Sequence, residues 1–119
     1  MFLILLKYTK PLSEVEQHTA AHREFLDRYY AGGQLIVSGR RMDQTGGVIL
    51  ANMASHAEVD RMLAEDPFRT AGVVEYEVID FHPSKYASDF GPFLHMPVSS
   101  GDIRPGTAGG TDDVAGQAR

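Results

Sequence analysis

The sequence predicts an α+β domain with the ferredoxin-like element order β-α-β-β-α-β. Three observations lead to this prediction: short apolar runs of strand length, two amphipathic segments preceded by serine-glutamate capping patterns, and glycine-containing turns between the segments. The chain has 119 residues, of which 43% are hydrophobic, and this suits one globular domain. Because βαβ crossovers are right-handed, both helices should lie on one face of a single antiparallel sheet.

The first strand and the first helix are indicated by the N-terminal third of the chain. Residues 2–8 form a continuous apolar run, which is typical of a strand buried on both faces. Ser13 and Glu16 have the spacing of a capping box, so we expect a helix over 14–31. The pair Gly32-Gly33 follows it, and glycine tolerates the positive φ that often ends a helix.

A hairpin and the start of a second helix come next. Residues 34–38 and 48–52 read as strands, and the turn residues 43–47 between them predict a hairpin. Ser55 and Glu58 then repeat the capping-box spacing. The β-α layout of the first part of the chain is therefore duplicated.

The second predicted helix covers residues 56–65, and a long strand over 73–82 completes the pattern. The inward-facing residues of this second helix should be Val59, Met62 and Leu63. Pro67 disfavours the helical conformation at Asp66, so the helix should end about there.

The sheet face opposite the helices is also apolar. Side chains alternate along a strand, so Leu3 and Leu5 must point away from the helices if Phe2, Ile4 and Leu6 point toward them. Monomers rarely expose a large contiguous apolar face. We therefore predict a homodimer in which two sheets pack face to face. The alternative is that the C-terminal segment covers this face within one chain.

The composition changes near the C-terminus. Large apolar residues almost disappear in the Gly-, Ser- and Thr-rich stretch 98–119, which has too little apolar surface to offset its ordering entropy. We predict a domain over 1–97, which ends in an irregular arm, and a flexible tail over 98–119.

Charge and cysteine content exclude several classes of protein. The net charge is −5 and the basic residues are scattered, which argues against a nucleic-acid partner. The absence of cysteine excludes disulfides and thiolate metal sites. The apolar run over 2–6 is too short to span a bilayer and lacks the flanks of a signal peptide, so we predict a cytoplasmic protein without a membrane partner.

A histidine on the core-facing side of the first helix is the strongest indication of chemistry. The residues with the spacing of one helix face are Val15, His18, Thr19, His22, Phe25, Leu26 and Tyr29. A buried imidazole needs a hydrogen-bond partner, because an unpaired buried polar group costs about 1–3 kcal/mol. Asp66, at the predicted end of the second helix, carries a carboxylate that would supply one.

The predicted pair has the properties of an acid-base site. A carboxylate that accepts from one imidazole nitrogen fixes the tautomer and leaves the other nitrogen as an acceptor, which makes His22 a candidate general base oriented by Asp66. One alternative is a core histidine tied to Asp66 without turnover. Another is a two-His, one-carboxylate metal site that includes His18, four residues from His22. Since no second ligand motif accompanies it, we predict no metal.

Several short motifs resemble the YCII-related family over residues 1–85. They are His22, Gly33-Gln34-Leu35, Ser38-Gly39, Gly47-Val48-Ile49, Asp66-Pro67-Phe68 and Ala71-Gly72-Val73. The combination of His22 with Asp66-Pro67-Phe68 is the most specific part. Arg40 follows Ser38-Gly39 where the family pattern has proline, which places a cation at the pocket rim. The resemblance implies a dimeric α+β barrel with a His-Asp pair in a pocket, proposed as catalytic.

The resemblance and the residues together predict a small-molecule enzyme. We expect proton transfer by the catalytic pair, in isomerisation or elimination on a small ring compound, by a cofactor-independent lyase or isomerase. The candidate substrate-binding residues are Tyr8, Ser38, Gly39, Arg40 and Phe68. The alternative is a non-catalytic dimer that binds a small ligand or serves as an accessory protein.

Overall fold

The computed structural model describes residues 1–94, so the predicted tail over 98–119 and the end of the predicted arm lie outside the described residues. The elements are β1 (Phe2–Tyr8), α1 (Leu12–Glu16), α2 (Thr19–Ala31), β2 (Leu35–Arg40), β3 (Gly46–Ala51), α3 (His56–Ala64), α4 (Pro67–Thr70), β4 (Val74–Asp80) and a 3-10 helix (Ser88–Leu94). The strands form one antiparallel sheet in the order β2-β3-β1-β4. This arrangement confirms the predicted α+β, ferredoxin-like fold.

The core lies between the helices and one face of the sheet. Phe2, Ile4 and Leu6 alternate along the central strand β1 and are at most 3% exposed. Their partners across the layer are apolar side chains of the helices, with Phe25 of α2 and Met62 of α3 fully buried. Burial of each such side chain contributes about 1.5–3 kcal/mol, so this layer holds the helices on the sheet.

The prediction of one helix over 14–31 is wrong at its N-terminal end, and so is the first capping box. The chain forms α1 and then α2, because the amide of His18 bonds to the carbonyl of Val15 and closes a tight turn. Pro11 is already the N-cap of α1, and no side chain caps that helix. Ser13 therefore lies inside the first turn, where it cannot act as a cap.

The serine half of the second capping box is confirmed, and the glutamate binds the amide of the residue before the N-cap instead of that of Ser55 itself. The hydroxyl of Ser55 accepts from the amide of Glu58 at 3.2 Å, and the Glu58 carboxylate accepts from the amide of Ala54 at 3.3 Å. The helix α3 ends at Ala64, close to the predicted end. None of the helices within residues 1–94 is long and apolar enough to cross a membrane.

The short helix α4 was not predicted. Asp66 is its N-cap and accepts from the amide of Phe68, and Pro67 occupies the first helical turn, where its missing N–H costs nothing. The helix ends before Gly72, whose φ of 73° favours glycine. This turn carries Phe68 back into the core before β4 begins.

The sheet face away from the helices is apolar along one row. Leu3 pairs with Leu50 on one side and Ile79 on the other, and Leu50 pairs with Val37. Val37 is 57% exposed and Ile79 is 38% exposed, although both are large hydrophobic residues. We call this row of four residues the open-face row.

Candidate functional site

A cavity of about 570 Å³ opens between the helical layer and the sheet. Its walls come from β1, β2, β3, α1, α2 and α4. The lining residues are Leu6, Tyr8, Glu16, Thr19, His22, Arg23, Leu26, Ser38, Gly39, Arg40, Gly47, Val48, Ile49 and Phe68. A volume in this range suits a small organic molecule.

The histidine and the aspartate singled out in the sequence meet at this cavity. Nδ1 of His22, on α2, lies 2.7 Å from Oδ1 of Asp66, at the N-cap of α4. The His22 side chain is 12% exposed and that of Asp66 is 0% exposed. The imidazole therefore lines the cavity, and the carboxylate lies behind it.

Asp66 accepts hydrogen bonds from three groups. Besides His22, the amide of Phe68 donates to Oδ1 at 3.0 Å, and the hydroxyl of Tyr76 on β4 donates to Oδ2 at 2.6 Å. Burial, followed by the hydrogen bond to Asp66, raises the pKa of Tyr76 above its ordinary value, so this phenol remains a donor. Three donors compensate the desolvation of a buried acceptor.

The imidazole plane is set by an aromatic neighbour. The rings of His22 and Phe68 are stacked, with 4.0 Å between centroids and 9° between planes. Since Nδ1 is used by Asp66, Nε2 is the remaining ring nitrogen, and no side chain of residues 1–94 hydrogen-bonds to it. The arrangement can fix a neutral tautomer in which Nε2 accepts a proton.

The rim near the end of β1 is polar and mostly exposed. Nε of Arg40 donates to the hydroxyl of Tyr8 at 3.2 Å, and Nη1 lies 3.5 Å from the carboxylate of Glu16. The hydrogen bond to Tyr8 raises the pKa of Arg40 above its ordinary value. The guanidinium therefore stays charged at the mouth of the cavity.

The hydroxyl of Ser38, which lines the cavity, is paired with a tyrosine hydroxyl. The hydroxyls of Ser38 on β2 and Tyr30 on α2 lie 2.7 Å apart, and either can be the donor. If Tyr30 donates, the proton of Ser38 is free to bond to a molecule in the cavity.

The structure places the predicted site residues close together. Those that line the cavity are Tyr8, His22, Ser38, Gly39, Arg40 and Phe68. Asp66 does not line the cavity itself and lies behind His22 and Phe68, to both of which it is hydrogen-bonded. His18 does not line the cavity, and within residues 1–94 no group of three His, Cys, Asp or Glu side chains has an arrangement that could hold a metal ion.

Tyr76 is the main site residue that the sequence reasoning did not identify. Strand alternation places it on one face of β4 with Val74 and Val78, and the structure shows that this face packs against the core. A tyrosine hydroxyl between partly buried valines needs a partner, and this requirement is the signal by which Tyr76 could have been connected to a buried carboxylate.

The fold and the site define an α+β domain with a partly buried His-Asp pair at the wall of a cavity. The model of the YCII-related domain matches residues 1–82. The chain belongs to the YCII-related family, which confirms the resemblance found in the sequence.

Solved structures with the same fold also match the chain. One is 5-chloro-2-hydroxyhydroquinone dehydrochlorinase (TftG) from Burkholderia phenoliruptrix AC1100, in complex with 2,5-dihydroxybenzoquinone. It is 23% identical, with a TM-score of 0.59 over 69% of this chain and 94% of that chain. At 23% sequence identity, the structural similarity to this enzyme shows that the two chains share a fold, and no more than that. None of the curated proteins compared with the chain matches it.

Proposed function

We propose that the chain is a cofactor-independent enzyme that transfers a proton on a small hydroxylated ring compound. The observation that carries this proposal is the hydrogen bond of 2.7 Å between His22 and the fully buried Asp66 at the wall of the cavity. Asp66 holds the Nδ1–H tautomer, so Nε2 is the basic nitrogen. The carboxylate also stabilises the imidazolium that forms when the proton is taken.

The proposed reaction needs one base and one oxygen-binding group. Nε2 of His22 takes a proton from a ring C–H or O–H, and the electron pair left behind forms a new double bond. In an isomerisation the proton returns at another ring carbon; in an elimination a leaving group such as chloride departs with its electron pair. The hydroxyl of Ser38 would donate to the ring oxygen on which negative charge develops.

The walls suit a planar ring with an anionic or hydroxyl substituent. Leu6 and Ile49 supply apolar contacts, and the stacked ring of Phe68 backs the imidazole. At the mouth, the Arg40 guanidinium is available to a carboxylate or phenolate oxygen. The dehydrochlorinase with the same fold acts on a ring of this kind, which gives the first compound to test.

The experiment measures chloride release from 5-chloro-2-hydroxyhydroquinone, and ring-proton exchange in D₂O for its unchlorinated analogues. We expect His22→Asn and Asp66→Asn each to lower kcat by about 10²–10⁴, the usual contribution of a general base. His18→Asn is the matched control, because His18 precedes His22 on the same helical layer but does not line the cavity.

Three outcomes separate the candidate functions. Turnover that falls in both variants and survives in the control supports the proposal. Turnover that both variants retain contradicts it. Binding of 2,5-dihydroxybenzoquinone without turnover of any tested ring favours the alternative, a dimer that only holds a small ligand.

We also propose that two copies of the chain pack through their open sheet faces. The open-face row consists of Val37, Leu50, Leu3 and Ile79, which lie side by side across all four strands. Two of these residues are more than a third exposed in the single chain. Fully burying an apolar side chain contributes about 1.5–3 kcal/mol, so the sum over the row in two copies is comparable to the free energy of about 4–15 kcal/mol lost on association.

A further inference from the structure

We propose that Tyr76 is a positioning residue that sets how readily His22 takes up a proton, by donating a hydrogen bond to the far oxygen of Asp66. This inference rests on the proposed function of the His-Asp pair and adds a third member to it. The three groups come from three elements: His22 from α2, Asp66 from the N-cap of α4, and Tyr76 from β4. They form the continuous chain Tyr76–Asp66–His22.

The two carboxylate oxygens of Asp66 accept hydrogen bonds from different side chains. Oδ1 faces the imidazole at 2.7 Å, and Oδ2 receives the Tyr76 hydroxyl at 2.6 Å. No cation other than a protonated His22 contacts this carboxylate among the described residues. The phenol therefore takes a share of the negative charge that would otherwise be divided between His22 and the Phe68 amide alone.

The sign of the effect follows from charge. When His22 is neutral, the pair carries one buried negative charge, and when His22 is protonated the pair is neutral as a whole. A donor to Asp66 stabilises the first state more than the second, because the excess charge is greater there. Tyr76 therefore opposes proton uptake by His22.

The other charged groups near His22 are the same in the wild type and in a protein altered only at Tyr76. The groups that face the ring or its partners are Glu16 from α1, Arg23 from α2, Arg40 and Tyr8 at the mouth, and Arg69 from α4 beside Tyr76. None of them donates a hydrogen bond to Asp66. A change at Tyr76 alone therefore reports the contribution of its hydroxyl.

The experiment is an NMR titration of the His22 ring in the full-length protein, with the tyrosine variants compared under one set of conditions. In Tyr76→Phe, the pH midpoint of His22 should rise by about one pH unit, the shift expected when a hydrogen bond to a charged group is lost. Tyr29→Phe is the matched control. Its hydroxyl donates to the next carboxylate along the chain, Glu65, at 2.7 Å and does not reach Asp66.

A second variant keeps the packing of the ring. Difluorotyrosine, incorporated only at position 76, is a stronger hydrogen-bond donor than tyrosine and should lower the midpoint of His22. A rise with Phe and a fall with difluorotyrosine support the proposal. An unchanged midpoint in a folded Tyr76→Phe, or in the difluorotyrosine protein if Phe does not fold, overturns it. These results do not depend on turnover, so a failure of the proposed enzyme activity is seen separately, in the His22→Asn assay.

Discussion

At the scale of single residues, Asp66 connects the local fold to the candidate chemistry. It caps α4 through the amide of Phe68, anchors β4 through Tyr76 and orients His22, with a side chain that is 0% exposed. A buried charge of this kind is tolerated because each hydrogen bond to a charged group contributes about 1.5–3 kcal/mol. The same three contacts that stabilise the turn therefore also orient the proposed base, His22.

Tyr29 gives a residue-scale prediction for stability at high pH. Burial, together with the hydrogen bond and charge of Glu65, raises the pKa of Tyr29 from the ordinary 10.0 to about 12. Between these two values the unfolded chain has lost the proton that the folded chain keeps, so the unfolding free energy falls as the pH rises. The stabilisation that Tyr29 contributes is complete at a pH below its pKa in the unfolded chain, and it is lost at a pH above its pKa in the folded chain.

The measurement for Tyr29 is urea denaturation at about pH 9 and about pH 11, with Tyr29→Phe beside the wild type. We expect the wild type to lose more stability than the variant between these conditions. The pKa of Tyr76 is raised as well, and Tyr76 is present in both proteins. It therefore lowers the unfolding free energy of both proteins by the same amount as the pH rises. Equal losses in the two proteins would contradict the role of the Tyr29–Glu65 contact.

At the scale of elements, the two serine-glutamate patterns look alike in sequence and differ in the structure. Ser55 caps α3, whereas Ser13 lies within the first turn of α1 behind Pro11. Ser55→Ala should therefore lower the unfolding free energy by about 0.5–2 kcal/mol, the usual cost of removing an N-cap. Ser13→Ala should change it by less than about 0.5 kcal/mol, as is common at exposed surface positions.

Urea denaturation of the two serine variants checks this difference. A Ser13→Ala variant as unstable as Ser55→Ala would show that the first capping box forms in solution. The comparison is matched, because both variants remove one hydroxyl at the start of a short helix.

The elements could be predicted where one local pattern decided the outcome. The apolar run of β1, the hairpin and the Ser55 cap required no knowledge of distant residues, and they are confirmed. The break near His18 and the short helix α4 were missed, because each depends on a turn that competes with a good helical pattern. Hydrophobic periodicity alone does not show whether the chain forms the turn or continues the helix.

Only part of the candidate site could be predicted from the sequence, because the rest depends on contacts between elements that are distant along the chain. His22 and Asp66 were found because a polar residue in an apolar pattern needs a partner, and the family resemblance supported the same pair. Tyr76 and the Tyr30–Ser38 hydroxyl pair depend on the packing of β4 and α2 against other elements. That packing is a tertiary property, so spacing along the chain did not reveal it.

At the scale of the whole molecule, the open-face row predicts the oligomeric state. We expect light scattering to give twice the chain mass of 13.1 kDa. Val37→Lys and Ile79→Lys should shift the protein toward the monomer, because each places a charge in the proposed apolar interface. Both side chains are partly exposed in the single chain, so the fold itself should tolerate them.

Met42→Lys is the control for the dimer. Met42 is 98% exposed and lies in the turn between β2 and β3, away from the open-face row. A wild-type mass equal to one chain, or equal masses for all three lysine variants and the wild type, would contradict pairing through this face.

The most direct test of the central claim is the tautomer of His22, measured by long-range ¹H–¹⁵N correlation in the uncomplexed protein. The hydrogen bond to Asp66 predicts that the neutral ring carries its proton on Nδ1 and leaves Nε2 unprotonated. Addition of 2,5-dihydroxybenzoquinone should then shift the Nε2 resonance, while the Asp66→Asn variant should lose the tautomer preference. A proton on Nε2 in the wild-type protein would contradict the claim that His22 presents a base to the cavity.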